Sequence, residues 1–136
     1  MTICWASSQT WREFRVRRAQ LAGRKDPGAE SDLAASPTAY KIVISGGRVN
    51  EYKELTEASL RQSAYLETEK TRQKIPAANV AIFNNGVVLQ FPREVDGHPS
   101  IPEQETKIKV HCKLKLSSIK AEFDTRKMTH KGQRDL

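Results

Sequence analysis

The sequence predicts an α+β fold, a small antiparallel sheet packed by one long helix and preceded by a basic, flexible N-terminal arm. Three observations carry that expectation: an asparagine-glycine hairpin signal at residues 80–91, strict alternation of apolar and basic residues at 107–115, and a capped, charge-polarised stretch at 50–74. A chain of 136 residues has room for one domain, since about 100 to 150 residues are needed to bury one core. The expected division is an arm and linker over 1–37, the domain over 38–130 and a polar tail over 131–136.

The arm is read from its charge. Residues 1–25 carry six bases and one acid, 26–37 three acids and no base, and 107–136 nine bases and three acids, within a total formal charge of +7. Positive blocks at both ends suit interaction arms or solvated tails. Within Ser8–Leu21, Arg12, Arg15, Arg17 and Arg18 alternate with Trp11, Phe14 and Leu21. This stretch has three readings: a surface helix docked by Trp11 and Phe14, an arginine-rich nucleic-acid arm, or an amphipathic targeting peptide poor in acids. Gly23–Pro37 lacks hydrophobic periodicity and reads as a linker.

The expected domain opens with a strand at Tyr40–Ile44, ended by Gly46 and Gly47. A helix is expected from an Asn50 cap to Lys74, with Glu51 and Glu54 at its positive end and Lys70, Arg72 and Lys74 at its negative end before Pro76. Its apolar face is thin: Tyr52, Leu55, Ala58, Ser59, Gln62, Tyr65 and Leu66. Next, Val80–Phe83 and Val87–Phe91 flank Asn84, Asn85 and Gly86. A type I′ turn at Asn85–Gly86 would set Phe83 opposite Val88 and Ile82 opposite Leu89. That places Val80, Ile82, Val87, Leu89 and Phe91 in the core, leaving Phe83 and Val88 on an outer face suited to protein contact.

After a proline-rich connection, Glu105–Leu116 alternates. Ile108, Val110, Cys112, Leu114 and Leu116 point one way, and Lys107, Lys109, His111, Lys113 and Lys115 the other. The four lysines span about 26 Å along an extended strand, a length that suits a phosphate backbone. A solvated face neutralised by Glu94, Asp96, Glu103 and Glu105 is the competing reading. Ile119, Phe123 and Met128 are expected in a short terminal helix opened by Ser117 or Ser118.

Other chemistry finds little footing. His98, His111 and His130 have no metal-ligand spacing, Cys4 and Cys112 form no C-x-x-C pair, and Cys112 belongs to the apolar row beside an oppositely directed His111. Ser45–Arg48 could cradle a phosphate, yet lacks the Walker and dinucleotide spacings and reads as a turn. No cofactor is implied, and no RNP-type, GXXG or zinc-finger pattern occurs. No run approaches the roughly 20 apolar residues of a membrane helix, and the two cysteines suit the cytoplasm or another reducing compartment.

The leading expectation is noncatalytic binding of nucleic acid, RNA more than DNA. Lys107, Lys109, His111, Lys113 and Lys115 would meet phosphates, helped by Arg12, Arg15, Arg17 and Arg18. The alternative is a structural or adaptor protein of a larger assembly, such as a virion or ribonucleoprotein, with a protein partner or self-association through Phe83 and Val88. An enzyme ranks third, for want of a convergent acid, base, nucleophile or metal set.

Overall fold

Two four-stranded antiparallel sheets form the body in a computed structural model, which describes residues 1–35 and 38–136. The last two residues of the expected linker, Ser36 and Pro37, lie outside the described residues. In chain order the elements are β1 (Thr2–Trp5), α1 (Gln9–Leu21), α2 (Pro27–Ala34), β2 (Ala39–Ser45), α3 (Glu57–Ser63), β3 (Tyr65–Thr68), β4 (Lys74–Pro76), β5 (Asn79–Phe83), β6 (Gly86–Pro92), β7 (Glu94–Val95), β8 (His98–Pro99), β9 (Lys107–Lys113), β10 (Ser118–Asp124), β11 (Thr129–His130) and β12 (Gln133–Arg134). One sheet runs β1-β2-β6-β5 and the other β10-β9-β3-β4, while β7-β8 and β11-β12 are two-stranded ribbons. Thus the chain is mixed α+β as expected, but it is rich in strands, and among the described residues no single long helix covers one small sheet.

The core forms where the inward rows of both sheets meet. Ile42, Ile44, Val87, Leu89 and Phe91 from the first sheet and Leu66, Ile75, Ile108, Val110 and Cys112 from the second join one buried cluster, closed by Leu60 of α3. Alternation explains the selection, because every second residue of a strand faces the same side. Burial pushes the Cys112 thiol up to about 11, in keeping with its place in the packed row.

The helix expected over 50–74 is replaced by a three-residue 3₁₀ turn at Val49–Glu51, α3, and the hairpin β3-β4. Two left-handed residues interrupt it, Glu54 at φ 62° and Arg72 at φ 52°. Thr56 and Ser59 form a reciprocal capping box that starts α3 afresh. Beyond Ser63, period two prevails: Leu66 and Thr68 are fully buried, while Tyr65 and Glu67 face outward between β9 and β4. The thin helical stripe offered too little apolar area to compete with burying Leu66 in a sheet.

Both ends of the chain also depart from expectation. Trp5 of β1 is buried and packs edge-on against Phe123 of β10 at 5.2 Å, so the first residues are an edge strand and not a free arm. Ser8 caps α1 through the Trp11 amide, and Asp26 caps α2, with Pro27 at its first position, inside the stretch expected as linker. Instead of a free tail, the last residues dock: the Asp135 carboxylate accepts from the Gln9 and Thr10 amides at the positive end of α1, at 2.5 and 2.9 Å. The terminal helix expected from Ser117 or Ser118 is strand β10, followed by a 3₁₀ turn at Thr125–Lys127. Here Ile119, Ala121 and Phe123 alternate with Lys120 and Glu122, a strand period that overrides the helical one.

The hairpin β5-β6 forms, but with Asn84 and Asn85 as its loop. Phe83 pairs with Gly86, Ile82 with Val87 and Ala81 with Val88, two residues from the expected register. A slip of two leaves every side chain on its expected face, so the core row is unchanged. Neither asparagine adopts positive φ, which removes the reason for a type I′ turn. Gly86 serves close packing instead: a Cβ there would lie 2.6 Å from the Ile44 carbonyl oxygen.

Candidate nucleic-acid interface

Strand β9 places Lys107, Lys109, His111 and Lys113 on the outer face of its sheet, with Ile108, Val110 and Cys112 buried beneath. The strand ends at Lys113. Leu114 is the last buried member of the apolar row, and Leu116, expected inside, is 58% exposed because the chain has already turned toward β10. Lys115 lies in that turn, where its ammonium pairs with Glu54, so it is separate from the strand's basic column.

Neighbouring strands complete the face. Lys120 of β10 sits opposite His111, Glu122 opposite Lys109 and Asp124 opposite Lys107, while on the other side Tyr65 and Glu67 of β3 flank His111 and Lys109, with Lys74 of β4 beyond Glu67. The row Glu122, Lys109, Glu67, Lys74 alternates in sign. Lys107 pairs with Glu122 at 3.5 Å, an exposed contact of a kind worth about 0–1 kcal/mol and therefore easily exchanged for a phosphate. Asp124 is committed to Arg126 through bonds of 2.9 and 2.8 Å that hold its carboxyl down at about 2. Among the described residues Lys109, Lys113, Lys120 and Lys74 form no ion pair.

At the centre of this face the Tyr65 and His111 rings stack, with centroids 4.5 Å apart and planes 13° from parallel. The Lys74 ammonium lies 5.2 Å from the Tyr65 ring centre, and Glu67 approaches His111 Nε2 at 3.4 Å. Burial lowers the His111 pKa, opposed by Glu67 and reinforced by Lys120, Lys109 and Lys74, so its surroundings favour the uncharged ring. Sequence reasoning missed Tyr65 and Lys74, assigned to the helix over 50–74, and Lys120, assigned to the terminal helix. The alternation of 119–123 was the available signal for Lys120.

The arginines of α1 divide by role. Arg12 is buried and structural: its guanidinium donates to the Asp32 and Ala35 carbonyls at 2.9 and 2.8 Å and to Gln9 Oε1 at 2.7 Å, tying α2 to α1. The guanidinium expected to meet nucleic acid is thus turned inward and engaged within the protein. Arg15 is held by Asp26 and Asp32 at 3.8 and 3.6 Å. Arg17 and Arg18 are exposed beside Phe14 and Leu21, which are 51% and 78% exposed, and the Trp11 and Phe14 rings lie 5.6 Å apart. Replacing Arg12 by alanine should cost about 1.5–3 kcal/mol, the range for hydrogen bonds to a charged group, and release α2. Thermal melts should fall, and limited proteolysis should cut first between Arg24 and Thr38.

On the first sheet's outer face Cys4, Val43, Val88 and Ala81 line up across β1, β2, β6 and β5. Phe83, 57% exposed at the strand end, lies opposite Gly86 instead of Val88, although both remain on the expected outer side. Ser45–Arg48 forms a turn in which Gly46 and Gly47 have positive φ and the Gly46 carbonyl accepts from the Tyr52 hydroxyl. Only a 3₁₀ turn follows it. Among the described residues no helix is long and apolar enough to cross a membrane. Comparison with protein-family models, with curated proteins and with solved structures gives no match.

Proposed function

We propose that this protein binds nucleic acid without catalysis, through the outer face of the β10-β9-β3-β4 sheet, with single-stranded RNA favoured. The observation that carries the reading is the column Lys107, Lys109, His111, Lys113, joined from adjacent strands by Lys120 and Lys74 around the stacked Tyr65–His111 pair. Cations on a sheet meet phosphates, while an aromatic pair at its centre provides a surface on which a base can stack. An unpaired strand exposes its bases for that contact, whereas a duplex hides them. Arg17 and Arg18 are auxiliary contacts.

Filter binding of nuclease-treated protein to single-stranded RNA, single-stranded DNA and duplexes across a salt series tests this. Substituting Lys107, Lys109 and Lys113 by glutamine should weaken binding and flatten the log-log salt slope on single strands by about 2, near 0.7 for each phosphate contact. Tyr65→Ala should weaken single-strand binding further with little change in slope. An affinity and slope unchanged by the triple substitution reject this face.

Phe83, exposed at the end of the half-buried outer row of the first sheet, supports the second reading, an adaptor within a larger assembly that uses this face. That reading expects a stable protein complex, visible by light scattering after nuclease treatment and lost in Phe83→Ser.

A further inference from the structure

Strand β10 is the outer edge of its sheet and runs seven residues from Ser118 to Asp124 in unbroken register with β9, without a bulge or a proline. Such an edge exposes a row of backbone donors and acceptors that natural sheets ordinarily guard. The other edges are less available: β4 has three residues, β1 four, and β5 is packed by α3. Apart from the ladder to β9, no hydrogen bond among the described residues engages the β10 backbone between Ser118 and Phe123.

We infer that β10 pairs antiparallel with β10 of a second copy of this chain, with Ala121 on the two-fold axis. The order Ser-Ile-Lys-Ala-Glu-Phe-Asp is self-complementary about its midpoint. In this register Lys120 lies opposite Glu122 of the other copy, Ile119 opposite Phe123 and Ser118 opposite Asp124, and all seven residues pair. Registers centred on Lys120 or Glu122 set like charges face to face, which destabilises a strand pair. Lysine alone on an edge would repel a copy; Lys120 and Glu122, placed symmetrically about a small alanine, attract one. The inward row gains as well, because Ile119, Ala121 and Phe123 are each half-buried and would cover one another across the axis. Two-fold pairing makes each contact twice, as an isologous interface requires. The sheets of both copies become continuous, and their outward lysine columns lie on the same side.

Sedimentation and light scattering of nuclease-treated full-length protein over a dilution series test the pairing. Wild type should show a concentration-dependent dimer. Lys120→Glu and Glu122→Lys should each weaken self-association by about tenfold or more, since each sets two like-charged pairs across the axis. Mixing these two variants should restore a dimer of one of each, because a strand acidic at both positions then faces a strand basic at both. Circular dichroism identical to wild type shows that each variant is folded. Phe83→Ser should dimerise as wild type does. A wild type that stays monomeric at its highest soluble concentration overturns the inference, as does a mixture that fails to pair, a Lys120→Glu protein that dimerises normally, or a dimer dissolved by Phe83→Ser. These outcomes are independent of RNA affinity, so this interface and the nucleic-acid reading stand or fall separately.

Discussion

Gly86→Ala should unfold at a markedly lower denaturant concentration than wild type, with a loss of about 3 kcal/mol, near the upper end of what overpacking costs. The reason is backbone crowding. A Cβ at residue 86 would lie 2.6 Å from the Ile44 carbonyl oxygen and 3.2 Å from the Ser45 Cα and Cβ. Those atoms belong to β2, an interior strand paired on both sides, with Ser45 directly opposite Gly86. They cannot withdraw without opening the ladder. Gly28 of α2 supplies the contrast, since its nearest neighbour to a Cβ is Asp26 Oδ1 at 3.4 Å and its φ is not positive. Alanine there should stabilise by about 0.4–1 kcal/mol through the unfolded chain. Urea unfolding with unchanged slope measures both, and a Gly86→Ala midpoint equal to wild type would disprove the observed register.

Glu105→Ala is expected to have the next largest effect, a loss of about 2–3 kcal/mol. Glu105 is 1% exposed and accepts from the Lys70 and Thr71 amides at 2.9 and 2.8 Å and from the Thr71 hydroxyl at 2.8 Å, while its carbonyl accepts from Thr125. One carboxylate thus ties the β3-β4 turn to the segment entering β9. Removing it leaves donors without partners, at about 1–3 kcal/mol each when they stay dry; partial rehydration of this turn limits the total. Burial pushes the Glu105 pKa up, but the two amides, the hydroxyl and Lys70 outweigh it and hold the carboxyl below its ordinary value. The folded state therefore prefers the ionised form. Its contribution is complete above the ordinary carboxylate range and disappears as pH falls through that range toward the lower folded value. Glu105→Gln should flatten this part of the acid limb below about pH 4.3, whereas a limb as steep as wild type would assign the dependence to other carboxylates.

Where one strand face is apolar and the other polar, the linear pattern is enough. The alternation at 107–113 placed Lys107, Lys109, His111 and Lys113 on one side, and the rows of the 80–91 hairpin survived a register slip because side-chain direction repeats every two residues. Weak patterns failed. Residues 50–74 carried helical charge polarity but little apolar area, and Glu54 and Arg72 adopt left-handed backbone that no helix contains. Residues 119–123 fit both periods, and β9 supplied the partner that chose the strand. Arg12 and Arg15 looked like their neighbours Arg17 and Arg18. Only the docking of α2 made the first a buried tie and the second an ion-pair partner.

The amino-acid order alone determined the strand β9, its two opposed faces, the hairpin before it and the uneven spread of positive charge, because these follow from alternation and composition within a few neighbouring residues. Tertiary structure decided which cations remain unpaired, how Tyr65 comes to stack on His111, why residue 86 must lack a side chain and which strand is left at an open edge. Each of those depends on segments far apart in the chain meeting at contact distance, where burial and hydrogen bonding outweigh the small energies of local propensity.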